Sequence, residues 1–180
     1  MKFCSECAHP VSVLIPEGDD LPRFVCEQCG TIHYRNPLLV VGCVPVWEDR
    51  ILLCRRAIEP RHGYWTVPAG FLENDETTRE GAARETREEA CAEVRVGSAL
   101  SMSHVVHVNQ VHLMYRGELV DGRFAPGRES LETGLFTRQE IPWDSLAFPS
   151  VRFCLEQYFD DLDRGLDGFH IQDVRKPVGR

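Results

Sequence analysis

An α/β/α sandwich around a mixed β-sheet, preceded by a small zinc ribbon, is the fold class that this sequence predicts, and three observations carry it. Two Cys-x2-Cys knuckles, Cys4 with Cys7 and Cys26 with Cys29, stand eighteen residues apart, a spacing suited to one tetrahedral zinc. Aliphatic and β-branched runs recur between turn signals from Leu38 onward. Helical patterning occurs both between those runs and after them, and strands with helices on either side of them in sequence imply helices on both faces of a sheet.

The ribbon is predicted over residues 1–35. A segment this short buries too little apolar surface to fold alone, so Zn²⁺ bound as four thiolates supplies its folding energy and leaves no open position for chemistry. Two dithiols forming disulfides are the alternative reading of the same cysteines. Pro16 to Asp20 reads as the turn between the halves, with Arg23-Phe24-Val25 leading into the second knuckle. Arg35-Asn36-Pro37 marks the boundary, because a residue before proline avoids helix. The main domain is predicted over 36–164.

Its first strand is LLVVGCVPVW, joined through Glu48-Asp49 to Ile51–Cys54, and Tyr64–Val67 forms a short strand. Thr77 followed by Glu80 is a capping box, so a helix starts near Thr77; Ala82, Thr86 and Ala90 give it a small-residue stripe. Residues 92–102 and 105–119 read as strands, with Asp121-Gly122 as a hairpin turn. Ile141-Pro142-Trp143 ends a turn, and 150–164 is an amphipathic helix by the spacing of Val151, Cys154, Leu155, Tyr158 and Leu162. The tail, 165–180, is polar, poor in pattern and expected to be loosely ordered. Cys43, Cys54, Cys91 and Cys154 are expected to be small core residues.

The chain has 180 residues, 43% apolar, enough for one domain with an appendage. Its net charge of −8 disfavours a nonspecific grip on nucleic acid. The longest apolar runs fall far short of a membrane span. Met1-Lys2-Phe3 leads straight into Cys4 without an apolar signal, so a cytoplasmic protein with no membrane partner is expected. Leu38–Val46 suits either a core or a homodimer interface.

Chemistry concentrates in Gly70–Ala92, GFLENDETTREGAARETREEACA. On a helix Glu85 and Glu89 stand one turn apart and Glu88 lies three residues from Glu85, so the three carboxylates can converge. Like charges there repel unless cations neutralise them, and oxygen-rich clusters suit Mg²⁺ or Mn²⁺. A solvated charged face, with Arg84 and Glu88 as an ordinary pair, is the bland alternative. Six fixed identities, Gly70, Glu76, Arg84, Glu85, Glu88 and Glu89, favour the metal reading.

Those six stand at the spacing of the Nudix box, G-x5-E-x7-R-E-U-x-E-E-x-G-U, with Thr86 and Cys91 replacing the usual aliphatic residue and glycine. Together with NPLLVVGC, LLCRR, HGYWTVPAGFLE, ESLE and IPWDSLAF, the chain resembles the zinc-ribbon Nudix hydrolases, in particular the plant chloroplast FAD and ADP-ribose diphosphatase branch. The SQPWPFP-like motif of the NADH diphosphatases is missing from Ser101–Val108. The resemblance implies divalent metal on Glu85 and Glu89, with Glu88 sharing a metal or activating water and the Ala69 carbonyl as another ligand. It implies a Glu76–Arg84 pair, and Glu129, or alternatively Glu132, closing the acidic cluster. Arg55 or Arg56 is suited to a phosphate oxygen, and Phe71 and Phe148 to stacking on adenine or flavin. His62, His104, His107 and His112 are expected to be ordinary surface or core residues. The implied substrate is a small dinucleotide or nucleotide sugar, FAD (giving AMP and FMN) or ADP-ribose (giving AMP and ribose 5-phosphate). NADH or NAD, and a sensor that binds without cleaving, are the alternatives.

Overall fold

The computed structural model describes residues 1–175 and divides into two compact units, Met1–Pro37 and Leu38 onward. In the first, strands β1 (Ser12–Leu14), β2 (Arg23–Val25) and β3 (Ile32–His33) form an antiparallel sheet in that order. Each knuckle turns tightly after its first cysteine: the Ala8 N–H donates to the Cys4 carbonyl at 3.0 Å and that of Gly30 to Cys26 at 2.8 Å, both residues having positive φ. Asp19, in the turn between the halves, accepts from Arg23 Nε at 2.7 Å.

The second unit contains β4 (Leu38–Trp47), β5 (Arg50–Arg56), β6 (Trp65–Thr66), β7 (Ala69–Phe71), helix α1 (Thr78–Ala90), β8 (Val94–Val105), β9 (Gln110–Leu119), β10 (Ser130–Phe136), helix α2 (Pro149–Arg164) and β11 (His170–Val174). The sheet runs β10-β5-β4-β9-β8-β11, with β6 on β5 and β7 on β4. The β4/β9 and β8/β11 pairs are parallel and the others antiparallel, which makes the sheet mixed. Successive residues of β4 face opposite layers. Cys43 packs with Ala82 of α1, while Val44 packs with Leu53, Leu100, Met114 and the Val151, Leu155 and Phe159 side of α2. The middle of this strand, Val41 to Pro45, therefore belongs to the core, while Leu38 at its start is exposed.

α1 begins as its sequence signals: Thr77 Oγ1 accepts from the Glu80 N–H at 3.3 Å, and the Glu80 carboxylate accepts from the Thr77 N–H at 2.7 Å. α2 opens on Pro149, whose missing N–H costs nothing in the first turn, and ends at Gly165 with φ of +64°. Among the described residues no helix is long and apolar enough to cross a membrane.

Several expectations are corrected. Asp121-Gly122 closes no hairpin, since both edges of β9 are already taken by β4 and β8, and the chain continues to β10, which pairs with β5. β8 runs to Val105, and the turn into β9 is a 3-10 segment, Val106–Val108, closed by Asn109 in the left-handed region. Leu162 is exposed; Phe159 takes its place on the buried face of α2. The tail is ordered through 174, because β11 lies parallel to β8 and its approach is fixed by buried Asp161, which accepts from the Gly168 N–H and His170 Nε2, both at 3.0 Å, and from Arg116. Residues 176–180 of that predicted tail lie outside the described residues. Cys43, Cys54 and Cys154 are buried, but Cys91 is exposed: it ends α1 in a left-handed conformation, φ 47°, where a glycine would be unstrained.

Candidate active site

Pairing of β7 with β4 lays Ala69–Phe71 beside the buried face of α1. A Cβ on Gly70 would collide with the Glu85 carboxylate, so any larger residue here would push that carboxylate out of its present place. Arg84 then ties loop to helix. Its Nε and Nη2 donate to the two oxygens of Glu76 at 3.0 and 2.8 Å, Nη1 to Glu85 at 2.7 Å and Glu88 at 3.0 Å, and Nη2 also to the Phe71 carbonyl at 3.0 Å. The guanidinium holds Glu76 below the usual carboxylate range.

Glu85 and Glu89 are buried and Glu88 is exposed. Burial raises the Glu85 carboxyl although Arg84 pulls the other way. It pushes Glu89 up to about 8, against the Ala69 N–H that donates to Glu89 Oε2 at 3.2 Å. Glu85 thus has Arg84 as its ionic partner, whereas Glu89 has no ion-pair partner among the described residues. The three carboxylates do not crowd as tightly as the sequence suggested, because the Arg84 fork stands between Glu85 and Glu88.

The loop that leads to Glu129 completes the wall. The Ala125 and Gly127 N–H groups donate to the Ala90 and Glu89 carbonyls at 2.9 and 3.0 Å, satisfying the last turn of α1 and bringing Glu129 to the same cleft as Glu85 and Glu89. Glu132 is elsewhere: it pairs with Arg55 at 3.5 Å. Arg55 and Arg56 are neighbours on β5 and so face opposite ways. Arg55 donates to the Gly63 carbonyl at 2.9 Å and lines no part of the cleft, whereas Arg56 does, its guanidinium 5.2 Å above the Phe148 ring. Phe71, nearly half exposed, and Phe148 both line the cleft, whose volume is about 1360 Å³.

All four histidines are surface or core residues, and two of them reach the cleft. His107 and His112 line this cleft, while His62 and His104 do not. Buried His112 is bonded on both nitrogens, Nδ1 to Ser150 Oγ at 2.9 Å and Nε2 to Gln110 Oε1 at 3.0 Å, and burial lowers its basicity, which favours a neutral ring. Gln110 and Ser150 carried no signal in sequence, since the trio is assembled from β9 and α2, 38 residues apart for His112 and Ser150.

In the amino-terminal unit the four knuckle sulfurs lie within 4.8 Å of one another. Separations of 3.6 Å for Cys4–Cys29, 3.4 Å for Cys7–Cys26 and 3.5 Å for Cys7–Cys29 approach the edge of about 3.8 Å that a tetrahedron with Zn–S of about 2.3 Å requires. The donor set fits Zn²⁺.

An acidic helix clamped by arginine against a glycine turn, on this mixed sheet, defines the Nudix class of fold and site. Comparison with known proteins agrees: residues 2–35 match the family described as Nudix N-terminal and residues 36–153 match the NUDIX domain, so the chain belongs to the Nudix hydrolase family. The crystal structure of a NUDIX hydrolase from Nitrosomonas europaea is similar with a TM-score of 0.92 at 48% identity, over 96% of this chain and 99% of that one. The NAD-capped RNA hydrolase NudC of Photobacterium profundum is 31% identical over 146 residues, 78% of this chain and 52% of the relative. This chain therefore spans about half the length of that curated relative. An ADP-ribose pyrophosphatase from Streptococcus suis shares the fold, with a TM-score of 0.61 at 20% identity over 76% of this chain and all of that one.

Proposed function

We propose that this protein hydrolyses the diphosphate of an adenosine diphosphate derivative, FAD or ADP-ribose, with Mg²⁺ or Mn²⁺ held by Glu85, Glu89, Glu129 and the Ala69 carbonyl. The observation that carries the reading is the desolvated pair Glu85 and Glu89, which faces a cleft shared with Glu129 and Arg56. A buried carboxylate without an ionic partner, Glu89, beside a second buried acid calls for a cation, and hard divalent ions take oxygen ligands together with substrate phosphates. When bound, such an ion supplies Lewis acidity and a more acidic water.

The chain's own residues account for the rest. Water adds at one phosphorus as the bond to the bridging oxygen breaks, leaving two monophosphates. Exposed Glu88 is the carboxylate open to take the proton of that water. Arg84 anchors Glu85 and Glu88 to the loop of Glu76. Arg56, braced on Phe148, offers its fork to a phosphate oxygen, and Phe71 offers a face to a base. In the ribbon, Cys4, Cys7, Cys26 and Cys29 hold a structural Zn²⁺.

NAD is the second reading, because the name of the curated relatives specifies an NAD cap on RNA. The acidic balance disfavours nonspecific nucleic-acid binding and leaves a capped end open to test. A panel of ADP-ribose, FAD, NADH, NAD, CoA and an NAD-capped oligonucleotide, incubated with each metal and analysed by product mass, tests the proposal. AMP with FMN or ribose 5-phosphate supports it. Tight binding without any product would make the protein a sensor instead.

A further inference from the structure

We infer that Gln110, aimed by His112 and Ser150, donates a hydrogen bond to the edge of the substrate's adenine; this deepens the proposed function and rests on it. Phe71, Val40 and His112 are partners across β7, β4 and β9, and Gln110 pairs with Leu38 two residues along the same strands. Partners in register share a face, about 4.8 Å apart per strand, so Phe71 to His112 measures roughly 10 Å, the length of a purine nucleoside's base and its hydrogen-bonding margin. Phe71, Val40, His112 and Gln110 all line the cleft.

The hydrogen-bond chain then fixes polarity. Gln110 Oε1 has no hydrogen to give, so His112 Nε2 donates to it; in a neutral ring Nδ1 must then accept, and Ser150 O–H donates. Ser150 is 2% exposed and His112 9%, so neither is turned over to bulk water. The amide oxygen of Gln110 is thereby committed. Among the described residues its NH₂ group has no hydrogen-bond acceptor, and it belongs to a side chain that lines the cleft. A flat ring resting on Phe71 and Val40 brings its edge to that donor. FAD, ADP-ribose and NAD share one such ring, adenine, whose N1, N3 and N7 are acceptors. A site built to donate discriminates against a ligand that cannot accept.

The test is calorimetric binding of ADP-ribose, FAD and NADH to the zinc-loaded full chain in a Glu89→Gln background, where turnover is suppressed. Gln110→Glu, which keeps shape but removes the donor, and Gln110→Leu should each weaken all three ligands about tenfold and leave inorganic pyrophosphate binding unchanged. His112→Phe should weaken them similarly, and adding it to Gln110→Leu should cost nothing more, since His112 acts through Gln110. No loss for any ligand, loss confined to FAD and NADH, equal loss for pyrophosphate, additive losses, or no binding by the parent would each overturn the inference. If the wild type binds ADP-ribose through Gln110 yet hydrolyses nothing on the panel, the enzymatic reading falls and this one stands.

Discussion

In the ribbon four sulfurs crowd within 4.8 Å of one another, whereas on α1 the acids are divided between a buried pair, Glu85 and Glu89, and an exposed Glu88, with Arg84 among them. The first arrangement closes a coordination sphere around one ion. The second leaves oxygens facing a cleft of about 1360 Å³, where phosphates and water can complete the sphere. The supporting structure differs accordingly. β1, β2 and β3 total eight residues and bury little, while the second unit has its own core on both faces of the sheet. Metal in the ribbon should therefore hold the fold, and metal at α1 should serve chemistry.

The largest expected effect follows from the sulfur site. Removing zinc with a chelator, or substituting Cys26→Ser, should cost the ribbon about 10 kcal/mol of folding free energy and unfold it, while the second unit keeps its structure. Amide exchange resolved by residue checks this: protection lost across 1–35 and retained in β4, β8 and β9 is expected. Equal protection with and without zinc would remove the distinction between the two sites. Next comes Glu89→Gln, which should lower turnover at least about a thousandfold with the melting temperature in saturating zinc kept or raised, as befits loss of a group that stabilises a transition state. Undiminished turnover would refute the metal assignment.

A smaller effect sharpens the comparison from the side of stability. Glu89 ionises near 8 when folded and metal-free, because burial opposes the charge, and near about 4.3 when unfolded. The folded state therefore holds the extra proton between those values, and its stability, complete below about 4.3, is lost as pH rises through 8. Without Mg²⁺ or Mn²⁺, the Glu89→Gln variant should melt near the wild type at pH 4 and several degrees above it at pH 9. Adding a divalent ion at pH 9 should narrow that gap. A gap independent of pH would mean that Glu89 is not desolvated.

How much of this was legible in the chain depended on distance along it. The capping box at Thr77, the apolar spacing of α2 and the acid spacing of α1 are local, and the structure has both helices within a residue of where that spacing puts them. Asp121-Gly122 misled because a turn signal is silent about whether the strands beside it have free edges. β11 was missed for a related reason: its pattern is weak, and what seats it is Asp161 bonded to Gly168 and His170, a contact made by α2. Within the site, Glu76, Arg84 and the α1 acids were readable from one motif, but the choice of Glu129 over Glu132 depends on a loop whose amides cap α1. Gln110, His112 and Ser150 meet only when β9 and α2 pack.

The smallest expected effect separates two adjacent arginines that sequence could not rank. Arg55 is 42% exposed in its side chain and its partner Glu132 53%, so their 3.5 Å pair is a solvent-screened bridge worth less than about 1 kcal/mol. Arg55→Ala should leave KM unchanged and shift the melting temperature by no more than a few degrees, most of it from the lost bond to Gly63. Arg56 faces the cleft over Phe148, so Arg56→Ala should raise KM several-fold at constant fold, and Arg56→Lys should restore only part of it because an ammonium lacks the planar fork. The ratio of the two KM effects is the measurement. If Arg55→Ala raised KM as much as Arg56→Ala, the alternation of β5 would not be what selects the phosphate ligand, and the cleft would have to extend around the strand.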